Sequence, residues 1–305
     1  MALIRPKGLI PGVLTAFTDD YKLDEEKYRE HIQWLIEKVG INGLGITAGT
    51  GEFYALSEAE FKRCQEIAVE TGKGKVQLWS NFGAEAYEKT LRLCNIAQEA
   101  GMDAFRIIHP YYASYTPGSL YDYYASLAKE FPDMSIMLYP QVKLTGRPFP
   151  IEIMIELADI DNIVGVKIDT YTFAEVSVLH LKTRDKDFAI VPATVTRFYH
   201  MCKSGIQTQA SIGPEPQWAP KLCRKVMDSC LNQEWDEAFN ATKALVELCD
   251  VVTGDFMNFP AQAKAASRIL GRPLGPCRRP IVMPSAEHEE RIRKALIAAG
   301  EMDPN

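Results

Sequence analysis

A chain of 305 residues, 47% hydrophobic and 24% charged, has the makeup of an ordinary globular protein, with core enough to fold without metal or disulfide staples. A formal net charge of −6 excludes the broad basic face that nucleic-acid binding needs. No apolar run approaches the roughly 20 residues of a membrane-spanning helix. The seven cysteines are odd in number and form no CxxC pair, and MALIRPKGLIPGVLTAF has no basic stretch leading to a cleavage site. A cytoplasmic protein with reduced thiols is expected.

Strands are expected at 10–16, 42–47, 75–79, 103–108, 134–138, 162–167, 187–191 and 207–212, each a short aliphatic or β-branched run. Helices are expected between and after them, at 25–38, 58–71, 85–100, 119–130, 151–158, 173–182, 195–203 and 216–231. In the first helix Tyr28, Ile32, Leu35 and Ile36 form one apolar face. Ser57 followed by Glu60 has the spacing of a capping box, Pro150 stands where a helix begins, and Gly101 where one ends. Eight such alternations fit a (β/α)8 barrel over 1–232. A doubly wound open sheet would usually carry a glycine-rich turn after its first strand, and TAFTDDYKLDE has no glycine. Residues 233–305 read as helices near 234–252, 257–270 and 285–299, a C-terminal extension packed on the barrel.

Chemistry in such a barrel gathers at the C-terminal strand ends, where the βα loops meet. Polar residues expected there include Thr47, the turn Gly49-Thr50-Gly51-Glu52, His109, Tyr112, Tyr139, Lys167, Thr194 and Ser211. Lys167 ends the apolar strand NIVGVK. It either reaches out into water or offers a partly dry amine that can attack a carbonyl. Tyr139 ends the preceding strand and is either a proton relay or a core tyrosine with its hydroxyl in solvent. The glycines of AGTGEF let backbone amides approach an anion, although turns also need glycine for geometry. Glu52 reads as a stabiliser of that loop.

The ordered set AGTGEFYALSEAEF, HPYY, LYPQVKLTG and GVKIDT resembles the dihydrodipicolinate synthase/N-acetylneuraminate lyase family, over nearly the whole chain. The resemblance implies a (β/α)8 barrel lyase, usually a homotetramer, that needs no metal or cofactor. It implies that Lys167 forms a Schiff base with a 2-oxo acid and that Tyr139 relays protons. Thr50 and Gly51 would hold the substrate carboxylate, and Tyr112 would reach a neighbouring subunit's site. Three departures stand out. Gly49 replaces the family's hydroxyl residue before Thr-Gly, with Thr47 as a candidate substitute. Leu144, beside Lys143, replaces the arginine with which synthases bind a second carboxylate, which argues against dihydrodipicolinate synthesis itself. IVPATVTRF replaces the usual Gly-Asp stretch, placing Thr194 and Arg197, with Ser211 opposite, around the distal half of the substrate.

The expected reaction is aldol cleavage or condensation involving pyruvate, or dehydration of a 2-keto-3-deoxy sugar acid through the same imine. A metal-dependent aldolase would need converging histidines, and only His109 of five sits at a strand end. A pyridoxal phosphate barrel would need a phosphate cradle late in the chain, and QASIGPEP is a poor one. A non-catalytic barrel that senses a 2-oxo acid would bind without turnover.

Overall fold

The alternating pattern becomes eight strands interleaved with helices in the computed structural model, which describes residues 3–254 and 258–304. The strands are β1 (Gly8–Leu9), β2 (Gly43–Ile46), β3 (Gln77–Gly83), β4 (Ala104–Ile108), β5 (Ser135–Tyr139), β6 (Ile163–Ile168), β7 (Ala189–Pro192) and β8 (Ala210–Ser211). Helices α1 (Glu25–Trp34), α2 (Glu58–Gly72), α3 (Tyr87–Ala100) and α4 (Pro117–Glu130) follow the first four strands. A one-turn helix α5 (Val142–Thr145) and α6 (Ile151–Leu157) follow β5, then α7 (Phe173–Thr183), α8 (Val195–Lys203) and α9 (Pro220–Leu231).

Strands β2 to β7 pair in parallel in chain order, and β1 pairs with β8. Backbone bonds join the two sets. The Ile212 N–H donates to the Pro192 carbonyl at 3.0 Å, and the Gly45 N–H to the Pro11 carbonyl at 2.8 Å. The sheet thus closes into the expected (β/α)8 barrel. The first strand differs from its expected span of 10–16: regular pairing stops at Leu9, and a single bridge joins Gly12 to Gly45. Pro11 has no N–H to give, and the Leu14 N–H turns instead to Gln217 Oε1 at 2.8 Å. The Ser57–Glu60 capping box forms, and α1 ends in a widened turn over Leu35–Val39 that sequence periodicity did not announce.

Ile10, Trp79, Ala104, Met137, Val164 and Val191 plug the barrel interior, while a second, larger core lies between sheet and helices. On β6 the alternation of faces breaks. Ile136 pairs with Ile163 but Met137 pairs with Gly165, so Val164 is an extra residue, a β-bulge. Ile163 and Val166 both belong to the outer core, and Lys167 is thereby turned inward. Without the bulge, alternation from Ile163 would send Lys167 out among the helices. Gly165 suits the bulge because a Cβ there would stand 2.3 Å from the Ala189 carbonyl oxygen.

Beyond the barrel, α10 (Trp235–Thr253), α11 (Phe259–Ile269) and α12 (Ala286–Ala298) contribute Leu245, Leu248, Ala263, Ala266, Ile292 and Leu296 to the outer core. Residue 257, the expected start of the 257–270 helix, lies outside the described residues. No helix among the described residues is long and apolar enough to cross a membrane.

Candidate active site

Tyr139 and Lys167 end two neighbouring strands, and both are buried at the mouth of the barrel. The Lys167 amine donates to Tyr139 Oη at 3.0 Å and lies 4.3 Å from the ring centre. Gln141 Nε2 donates to the same oxygen at 2.9 Å and reaches Asp169 Oδ2 at 3.3 Å. With two donors aimed at its oxygen, the phenol keeps its own O–H to give elsewhere, as a proton carrier must.

A small open cavity of about 110 Å³ lies over this pair. Gly49, Thr50, Leu144 and Thr194 line it with Lys167 and Tyr139, so six of the expected site residues meet in one place. The Gly49–Gly51 segment is a tight 3-10 turn followed by Glu52 in the left-handed region at φ 57. Gly51 is demanded by packing, because a Cβ would stand 2.5 Å from the Val13 carbonyl oxygen, and Thr15 Oγ1 donates to the Gly51 carbonyl at 2.6 Å. Gly49 has nothing within 4 Å of its Cβ position, so the missing hydroxyl leaves open space.

Thr47, Ser211 and Tyr112 do not line the cavity. The Thr47 hydroxyl is bound to the Ile46 and Asn81 carbonyls at 2.7 and 2.9 Å and accepts from Gln65 Nε2 at 3.0 Å, so it does not stand in for the hydroxyl absent at 49. Ser211 sits between Ala210 and Ile212, which both face the barrel interior, and strand alternation turns it away. Tyr112 is 82% exposed on the loop after β4. Arg197 is an exposed residue of α8 whose N–H is capped by Thr194 Oγ1 at 3.2 Å.

Among the other residues that line the cavity, strand-end reasoning missed the polar side chains of Arg106, Gln141, Asp169 and Glu215. Arg106 starts deeper in the barrel, opposite Met137 on β5, and its Cζ lies 5.1 Å from the Tyr139 ring centre. Burial lowers its guanidinium from the usual value to about 10. Glu215 is 2% exposed. Its Oε1 accepts from the Val195 N–H at 3.3 Å and its Oε2 has no hydrogen-bond partner among the described residues. Burial raises this carboxyl to about 7, against the pull of its backbone donors and of Lys167. Gly213 leaves room for it, since a Cβ there would fall 2.0 Å from Oε2. His109 is buried against Tyr115 and Phe149, with Nε2 3.0 Å from Thr145 Oγ1. Among the described residues no three His, Cys, Asp or Glu side chains group as a metal site would require.

The chain has relatives and structural neighbours that match it over nearly its whole length. The chain is 29% identical to the 4-hydroxy-tetrahydrodipicolinate synthase of Methanothrix thermoacetophila over 291 residues, covering 95% of this chain and 96% of that one. It is 29% identical to the enzyme of that name from Methanosphaera stadtmanae, covering 95% and 97%. Among solved structures, the prophage protein YagE from E. coli K12, crystallised with pyruvate, superposes with a TM-score of 0.90 at 23% identity, covering 97% and 99%. N-acetylneuraminate lyase from Mycoplasma synoviae superposes at 0.83 with 23% identity, covering 96% and 97%. Residues 5–299 match the dihydrodipicolinate synthetase family, and the chain belongs to it.

Proposed function

We propose that this protein is a Schiff-base lyase that cleaves or forms a carbon–carbon bond next to a pyruvyl unit. The observation that carries the reading is the buried Lys167 amine bonded to Tyr139 at 3.0 Å, opening on a cavity lined by the Gly49–Thr50 turn. The amine adds to the C2 carbonyl of a 2-oxo acid, and the carbinolamine loses water as Tyr139 carries protons to and from its oxygen. The protonated imine then takes up the C3–C4 bonding pair as the Tyr139 oxygen, having given its proton to the departing water, takes the C4 hydroxyl proton, releasing an aldehyde and leaving an enamine. Protonation at C3 and hydrolysis return pyruvate and the free lysine. The lysine supplies the electron sink, so the mechanism calls for no cofactor.

Glu215 supports a second outcome through the same imine. Once the imine has lost its C3 proton to the Tyr139 oxygen and become an enamine, a carboxyl that keeps its proton to about pH 7 beside Lys167 can protonate the C4 hydroxyl, which leaves as water and makes the reaction a dehydration. The family expectation of a cytoplasmic homotetramer belongs to this reading, and sedimentation velocity tests the assembly.

Borohydride reduction in the presence of pyruvate, followed by peptide mapping, tests the covalent step. The expected result is a pyruvyl adduct on Lys167 that is lost in Lys167→Ala. A folded protein that gives no adduct would instead be a binding barrel. A panel of 2-keto-3-deoxy sugar acids and sialic acid separates the outcomes: pyruvate release marks an aldolase, a dioxo product without pyruvate a dehydratase.

A further inference from the structure

The Schiff-base chemistry leaves Arg106 without work. Its side chain is 1% exposed in the middle of the barrel, and neither Nε nor Nη1 has a hydrogen-bond partner among the described residues. The cavity carboxyls lie elsewhere: Asp169 accepts from Gln141, and Glu215 turns to the Val195 N–H. The contact the guanidinium does make among the described residues is with the face of the neutral Tyr139 ring, 5.1 Å from its centre. One cation–π contact returns only part of the hydration a buried guanidinium gives up. A buried cation of this chain that serves structure alone looks different, for Lys264 sits 2.8 Å from Glu52 with both side chains wholly enclosed.

An unpaired buried cation facing a cavity is completed by an anionic ligand. The proposed reaction brings one anion by necessity, the C1 carboxylate beside the carbon that Lys167 attacks. Arg106 and Lys167 both lie against the Tyr139 ring and both line the one cavity, so a ligand held on the amine shares its enclosure with the guanidinium. A planar fork of N–H donors matches a carboxylate in two parallel bonds. The turn that shares the cavity carries no side chain at Gly49, so no hydroxyl meets the carboxylate from that position.

We propose that Arg106 binds the C1 carboxylate of the 2-oxo acid held on Lys167, compensating for the side chain absent at Gly49. The inference rests on the imine reading above for the identity of its anion. Because the charge is otherwise unsatisfied, Arg106→Met keeps the fold and costs ligand affinity, a pattern that a purely structural arginine would reverse.

The test is borohydride trapping at pH 7 with pyruvate and with its neutral methyl ester, comparing wild type, Arg106→Met and Arg106→Lys. The expected result is that Arg106→Met raises the half-saturating pyruvate concentration roughly 10- to 100-fold and leaves that for methyl pyruvate nearly unchanged. Arg106→Lys, which keeps charge but not the fork, should fall between, and it carries the test if the methionine variant does not fold. An equal shift for both ketones, or none for pyruvate, overturns the proposal. Calorimetric binding of pyruvate to Lys167→Ala, with and without Arg106→Met, separates the two readings. Binding that disappears with Arg106 upholds the carboxylate site even where no adduct forms on the wild-type protein. Binding indifferent to Arg106 removes it.

Discussion

Lys264 and Arg106 are both cations shut inside this protein, and their surroundings are opposite. Lys264 Nζ contacts Glu52 Oε1 at 2.8 Å, donates to the Pro276 carbonyl at 2.8 Å and lies 4.4 Å from the Phe17 ring centre. Glu52 Oε2 in turn accepts from the Arg278 N–H at 2.8 Å. That network fastens the end of the Gly49–Gly51 turn to α11 and to the segment beyond it. Arg106 has an aromatic face and open donors. A buried charge with every partner inside the chain holds architecture. One whose partners are missing waits for a ligand, and the same distinction separates Glu52 from Glu215.

Substitutions test whether that division is real. Tyr139→Phe lies on the cavity side, and turnover should fall roughly 10²- to 10⁴-fold while the lysine adduct stays detectable by mass mapping. Unchanged turnover would remove Tyr139 from the proton path. Lys264→Met lies on the structural side. It leaves the Glu52 carboxylate enclosed without its cation, and chemical denaturation should show a loss of roughly 3–5 kcal/mol. If that variant is as stable as wild type, the contrast with Arg106 collapses.

The smallest effect concerns pH. Folded Glu215 keeps its proton to about 7, whereas an unfolded glutamate loses it near 4.5. Between those values the folded state binds the extra proton, so this group lowers stability as pH rises and has no further effect above about 7. Glu215→Gln should abolish that slope, worth roughly 3 kcal/mol across the window. His31, whose burial lowers it from 6.5 to about 4, contributes a slope of the opposite sign between those values. The difference between wild-type and variant stability curves is therefore the quantity to read, and parallel curves would mean Glu215 is ionised throughout.

The barrel was legible because its strands are short apolar runs at regular intervals and its helices carry end signals, as at Ser57 and Gly101. Lys167 and Tyr139 were legible because reacting groups gather at strand ends. The same rule concealed Arg106, which rises from mid-strand in AFRII. An arginine inside an apolar strand is itself a signal, since that residue type is almost never fully buried without cause. Glu215 was hidden in QASIGPEP, weighed as a phosphate cradle and not searched for carboxyls. Thr47 and Ser211 show the reverse error. Both are polar and near strand ends, but which face a strand residue takes depends on register, and composition does not carry register.

The bulge at Val164–Gly165 makes the strand that bears the amine unusually sensitive to counting. Loops elsewhere can lengthen or shorten while the barrel persists. Removing one residue upstream of Lys167 in β6 would preserve the strand's composition and pairing partners yet exchange inside for outside. The amine would then meet α-helices in place of substrate. The proposed chemistry therefore hangs on the parity of a six-residue segment, and lineages that carry deletions there would be expected to keep the barrel and lose that reaction.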